Sequence, residues 1–298
     1  MTGRTIQRVI DSVATSDGAG VKLRRSLGAS QLLRHDPFLM LDEFYSDNPN
    51  DYLAGFPSHP HRGFETVTYM LDGRMRHEDS VGNRGDLGPG DVQWMSAARG
   101  IIHSEMPQQT EGRMRGFQLW INLPAKEKMN DPGYRDIASS EIPTVTLDGG
   151  GEVRVIAGTL DQASGKTRGP VQAVTTDPLY LDVHLPAGAV FETPLTPGYN
   201  AFLYLYEGGA TVGDDGQALQ QRSAGLLSDG DSVKVQAGDK EARFLLLAGK
   251  PLKEPIVQYG PFVMNTREEI EQAVSDYQSG RLTLTKEQAQ RLKVFPGS

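Results

Sequence analysis

Apolar side chains along this chain recur in short runs, not in long helical stripes. Segments 38–41, 66–71, 91–95 and 116–121 lie in the first half, and 179–185, 201–206, 232–236 and 243–247 in the second. Each is rich in aromatic and β-branched residues and bounded by Gly, Pro or Asp, the pattern of β-strands separated by tight turns. One segment has a clear helical period. Over 267–279, Ile270, Ala273, Val274 and Tyr277 fall on one stripe. Thr266 and Glu269 form a capping box at its start, and Gly280 is placed to end it.

The two halves echo each other. Tyr69-Met-Leu-Asp-Gly73 is answered by Tyr204-Leu-Tyr-Glu-Gly208, and Gly90-Asp-Val92 by Gly230-Asp-Ser-Val233, in the same order and at nearly equal spacing. In each half a strand ends in an acidic-Gly turn and a later Gly-Asp turn opens another, which predicts a duplicated β-domain. A division into 1–130 and 131–298 is expected, the second part carrying the short C-terminal helix. The polar, turn-rich stretch 126–143 serves as the connection.

Composition narrows the chemistry. The chain has 298 residues, 38% hydrophobic and 23% charged, with 30 Lys+Arg against 38 Asp+Glu for a net charge of −8. That acidic balance argues against nucleic-acid binding, which relies on basic groups to neutralise phosphate. No apolar run is long enough for a membrane helix, and the polar N-terminus is unlike a signal peptide, so a cytoplasmic location is expected. There is no cysteine, which removes thiolate catalysis and thiolate ligation. Any metal has to be held by N and O donors.

Four of the six histidines are His59, His61, His77 and His103. His59-Pro-His61 points two rings to one side of an extended chain, because strand side chains alternate with period two. His103 and Glu105 have the same spacing. Three imidazoles and one carboxylate with open positions make an iron-type set. A Gly-bounded His-x-His followed by Gly100-Ile-Ile-His103 in an all-β chain suggests the cupin architecture, two tandem double-sheet jelly-roll barrels. The general cupin pattern selects Glu65, four residues after His61, as the acidic ligand.

A more specific resemblance follows from larger blocks. Asp36-Pro-Phe-Leu-Met-Leu-Asp-Glu-Phe44, His59-Pro-His-Arg-Gly-Phe-Glu65, Gly100-Ile-Ile-His103-Ser-Glu105, Leu119-Trp-Ile-Asn-Leu-Pro124 and Gly260-Pro-Phe-Val-Met-Asn-Thr266 resemble the pirin family, in family order over most of the chain. The resemblance implies a bicupin with Fe(2+) in the N-terminal barrel, held by His59, His61, His103 and Glu105, and a C-terminal barrel that has lost its metal. Other divalent ions (Ni, Cu, Zn, Mn, Co) suit the same donors. It also implies a quercetin 2,3-dioxygenase-like activity on a flavonol, or a related enediol or catechol, with O2. Glu105 would be ligand and base. Glu65 is then left to accept from a ligand imidazole or to pair with Arg62. The alternative the family offers is an iron-binding, redox-responsive transcriptional co-regulator that meets a protein partner without turnover. A monomer is expected in either case.

Several residues have plainer readings. His77, in Met75-Arg-His-Glu-Asp79, reads as a solvated rim residue, and His35 and His184 as lone structural histidines. Arg99 suits a salt bridge as well as an anionic substrate, and Trp94, Phe56 and Phe64 suit either core packing or a pocket wall. In the second half, 188–196 occupies the place of the first cupin motif without a histidine.

Overall fold

The structure is a computed structural model and describes residues 2–285, 287 and 288. Two compact units form. One, here the histidine unit, comprises Thr15–Leu23, Glu43–Ile137 and Leu252–Ser298; the second comprises Met1–Ala14, Arg24–Asp42 and Ala138–Pro251.

The histidine unit is a double-sheet jelly roll. Its larger sheet is centred on the antiparallel strands Phe64–Asp72 and Met114–Asn122. Facing it is a four-stranded sheet in the order Phe56–His61, Ile101–Pro107, Met75–Asp79, Arg84–Leu87. The second unit repeats the plan, with a larger sheet centred on Asn200–Glu207 and Ala242–Gly249 and a four-stranded one built around Ser232–Ala237. The all-β, two-cupin architecture expected from the strand pattern is therefore the observed one. The paired acidic-Gly turns match as well: Gly73 and Gly208 both take left-handed φ, at 87° and 76°, a conformation glycine adopts without a Cβ penalty.

The barrels differ in what fills them. In the second unit Leu181, Val183, Leu203, Leu205, Phe244 and Leu246 pack into one apolar core. On the equivalent central strands of the histidine unit, Thr66, Thr68 and Gln118 alternate with apolar neighbours.

The units are not contiguous pieces of chain, and a cut between 130 and 131 separates strands that pair. Ile6–Asp11 hydrogen-bonds with Ser223–Leu227 in the second unit's sheet. The last segment returns to the histidine unit, where Ile270 and Ala273 of the helix Arg267–Gln278 pack with Phe262, Met264 and Leu282. A strand's own pattern records that it has a buried face, not which sheet edge it joins, so these exchanges leave no local trace. The stretch 126–143 also holds more than a connection: Gly133–Ile137 pairs with Val92–Ser96, and a short 3-10 turn covers Ser139–Glu141. The helix starts as its sequence dictates, with Thr266 and Glu269 capping each other reciprocally. No helix among the described residues is long and apolar enough to cross a membrane.

Candidate metal centre

His59 and His61 lie on the strand Phe56–His61, which contains Pro57 and Pro60. Proline cannot donate to a ladder, and this strand accordingly sits at the sheet edge. Its one neighbour, Ile101–Pro107, runs antiparallel and sets His103 directly opposite His59. Alternation along one strand and pairing across to the next thus bring three imidazoles to one side.

Each of the three offers a ring nitrogen within 4.8 Å of the others. His59 Nδ1 lies 2.8 Å from the Pro57 carbonyl, which assigns its proton to Nδ1 and leaves Nε2 bare. That Nε2 is 3.0 Å from His61 Nε2. Two imidazoles bound cis on an ion with bonds of about 2.1 Å would have nitrogens roughly 3 Å apart. His103 Nε2 is buried without a hydrogen-bond partner, the state a ligand nitrogen shows without its ion. Burial, followed by the neighbouring imidazoles, holds His61 and His103 well below the usual histidine pKa. Neutral rings keep the lone pairs that metal binding needs. The donor set fits a divalent transition metal.

Glu105 is 1% exposed, on the far side of a register shift that separates it from His103. It stands outside the three-histidine group, yet its carboxylate is held firmly. Thr68 Oγ1 donates to Oε1 and Gln118 Nε2 to Oε2, both at 2.8 Å. Trp120 Nε1 in turn donates to Gln118 Oε1 at 3.3 Å. Thr68 and Gln118 were not singled out by the sequence. Their one signal is a polar residue on the inward face of an otherwise apolar strand.

Glu65 lies elsewhere. Strand alternation is unbroken from Phe64 to Tyr69, and Thr68 faces Glu105, so Phe64 and Thr66 share the site's side while Glu65 points to the other. It neither accepts from a ligand imidazole nor pairs with Arg62. Arg62 instead donates to the Arg99 carbonyl and to Asp276 Oδ2, the latter at 2.9 Å. Burial raises the Glu65 carboxyl to about 7, opposed in part by the Trp94 indole. Trp94, opposite Val67, shares the Glu65 face and does not line the site. Phe64 does line it: its ring stands 5.1 Å from His61 and 4.2 Å from Trp120, which itself packs on His61.

Two family models match the chain. The one described as Pirin matches residues 20–121, and the Pirin C-terminal cupin domain matches 180–283. A Pseudomonas aeruginosa protein named as a candidate quercetin 2,3-dioxygenase is 57% identical over 272 residues, covering 90% of this chain and 94% of its own. A pirin-like protein of Caulobacter vibrioides is 52% identical over 94% of this chain and all of its own length. The chain belongs to the pirin family. Among solved structures, a quercetin 2,3-dioxygenase from Acinetobacter baumannii superposes with a TM-score of 0.85 at 32% identity, covering 94% of this chain and 98% of that one.

One further histidine of this pirin-family chain departs from expectation. His77 is fully buried, not a rim residue. Its ring is 5.1 Å from that of His103 and 4.7 Å from that of Tyr134, its Nδ1 is 3.2 Å from His103 Nδ1, and its Nε2 is 3.1 Å from Asp79 Oδ2. The alternation of Met75, His77 and Asp79 inward with Arg76 and Glu78 outward was visible in the sequence but masked by its polar content. Arg99 is 3.7 Å from Asp131, and His35 and His184 meet the Ala201 carbonyl and Glu241, away from the cluster.

Proposed function

We propose that the chain is a metal-dependent dioxygenase that opens the heterocyclic ring of a flavonol such as quercetin, or attacks a related enediol or catechol, with O2. The ion is Fe(II), held by His59, His61, His103 and Glu105; Mn, Co, Ni, Cu or Zn can load the same donors according to availability. The observation that carries this reading is the convergence of two buried imidazoles and the half-buried His59, with a buried carboxylate fixed by two donors on the strand that carries His103. The names of the Pseudomonas relative and the Acinetobacter structure support the substrate class.

A metal held by His59, His61, His103 and Glu105 would supply Lewis acidity toward the substrate's hydroxyl–carbonyl pair and toward O2. Glu105 accepts the proton of the substrate hydroxyl at a carboxylate oxygen. Thr68 and Gln118 keep that carboxylate from turning, and Trp120 and Phe64 shield the His61 side from water. The protein acts in the cytoplasm as a monomer on a small molecule.

Protein loaded with Fe(II) under nitrogen and then given O2 should consume quercetin and oxygen together, with loss of flavonol absorbance and release of carbon monoxide. Flavonol binding without oxygen uptake across several metals would overturn the enzyme. It would leave an iron-binding, redox-responsive regulator with a protein partner.

A further inference from the structure

Behind His103, on the side away from His59 and His61, three buried groups stand in line. His103 Nδ1 faces His77 Nδ1 at 3.2 Å, and His77 Nε2 faces Asp79 Oδ2 at 3.1 Å. The side chains of His77 and Asp79 are both wholly shielded from solvent. The Tyr134 ring covers His77 at 4.7 Å, and Asp79 is tied down on its other side. Its Oδ1 accepts from the backbone N–H groups of Val81 and Asn83, and its Oδ2 also accepts from the Asn83 amide at 2.9 Å.

We propose that Asp79 and His77 form a positioning relay that fixes the tautomer of His103 and so presents its bare Nε2 to the metal. The inference rests on the metal site proposed above. A carboxylate can only accept, so Nε2 of His77 must carry the proton that faces Asp79. With Nε2 of His77 donating to Asp79, its Nδ1 serves as the acceptor, and His103 supplies the hydrogen between the two Nδ1 atoms. With its proton on Nδ1, His103 keeps a lone pair on Nε2, the atom that has no partner in the barrel. The reverse order has two faults. A lone pair of His77 would confront the Asp79 carboxylate, and a buried N–H of His103 would be left without an acceptor, at a cost typical of orphaned polar groups. His59 reaches the same state more simply, through the Pro57 carbonyl. His103 has no carbonyl at Nδ1 and takes its instruction from a carboxylate one imidazole further back. Such outer partners set ring orientation and ligand basicity. Neither residue touches substrate or metal.

The test uses the full chain with Co(II) as probe, its affinity measured by competition with a chelator. Proton placement on His103 is read separately by nitrogen-15 NMR of the metal-free protein. D79N is the decisive variant. Its remaining oxygen can keep both backbone N–H bonds, while its new NH2 faces His77 and reverses the order of donors along the line. We expect D79N to move the His103 proton to Nε2 and to weaken Co(II) binding about 10–100-fold. H77F should weaken binding similarly, and H77N, which returns an acceptor near the Nδ1 position, should recover most of the loss. Wild-type-like affinity and an Nδ1 proton in D79N would overturn the relay while leaving the metal site standing. Should wild type bind no Co(II), or H103A bind it as tightly as wild type, the metal reading fails and the relay with it.

Discussion

His103 lies directly across from His59 on the adjacent antiparallel strand, with ring centroids 4.4 Å apart. The site therefore depends on the register of a long-range pairing. A slip of one residue would turn His103 to the opposite face. Both strands are pinned against such a slip, Ile101 opposite His61 at one end and the register shift before Glu105 at the other.

Replacing His59, His61 or His103 by Ala should each remove most of the bound metal. The second unit holds its own apolar core, so its folding should be unaffected. Elemental analysis together with circular dichroism checks both halves of this expectation. Full metal retention in all three variants would refute the ligand assignment.

If Glu105 is base as well as ligand, as proposed, Glu105→Gln should depress turnover of quercetin more than its loss of metal accounts for. General-base contributions run to about 10²–10⁴-fold. Turnover per bound metal, compared between variant and wild type, is the quantity to measure. An unchanged value would restrict Glu105 to ligation or to structure.

Thr68→Val and Gln118→Leu each free one oxygen of the Glu105 carboxylate. Changes of this kind typically cost about 10–100-fold in affinity or activity. The loss should fall on kcat with metal stoichiometry kept, as steady-state kinetics on metal-quantified samples would reveal. If both variants match wild type, the two hydrogen bonds do not orient the carboxylate.

Glu65→Gln should leave metal content intact and change stability instead. Burial raises this carboxyl from its ordinary 4.5 to about 7. Between those values the folded protein keeps a proton that the unfolded chain has released, so stability falls as pH rises through this window. The loss is on the order of 3 kcal/mol at most, complete above pH 7. The Gln variant should lose that slope and be the more stable protein at pH 8. Urea unfolding of both proteins at pH 5 and pH 8 tests it, and parallel pH profiles would count against the assignment.

Much of this was legible in the sequence because it is local. The strands announce themselves by short apolar runs, and the helix by its Thr266–Glu269 box. His59, His61 and His103 announce themselves by spacing and by family blocks. What was not legible depends on which face meets which neighbour. Thr68 and Gln118 are ordinary strand residues until the opposite sheet sets Glu105 against them. His77 sits in a stretch polar enough to read as solvated, and only closure of the barrel buries it against His103. Glu65 has the spacing of a ligand but the parity of the outer face.

The return of the chain's end to the histidine unit has a consequence for how the protein is made. Arg62, next to His61, exchanges backbone hydrogen bonds with Pro261 and Val263, and its guanidinium is 2% exposed against Asp276. Lys128 Nζ ties Gly63, Asn122 and Val263 together, and Gly63 lies so close to the Val263 carbonyl that a Cβ there would collide with it. The histidines are translated well before Pro261, Val263 and Asp276, which brace their strand from behind. A nascent chain released short of residue 260 carries every histidine of the cluster but lacks the contacts of Pro261, Val263 and Asp276. Such a truncated product should bind a metal at the three histidines more weakly than a chain that includes residues 260–278.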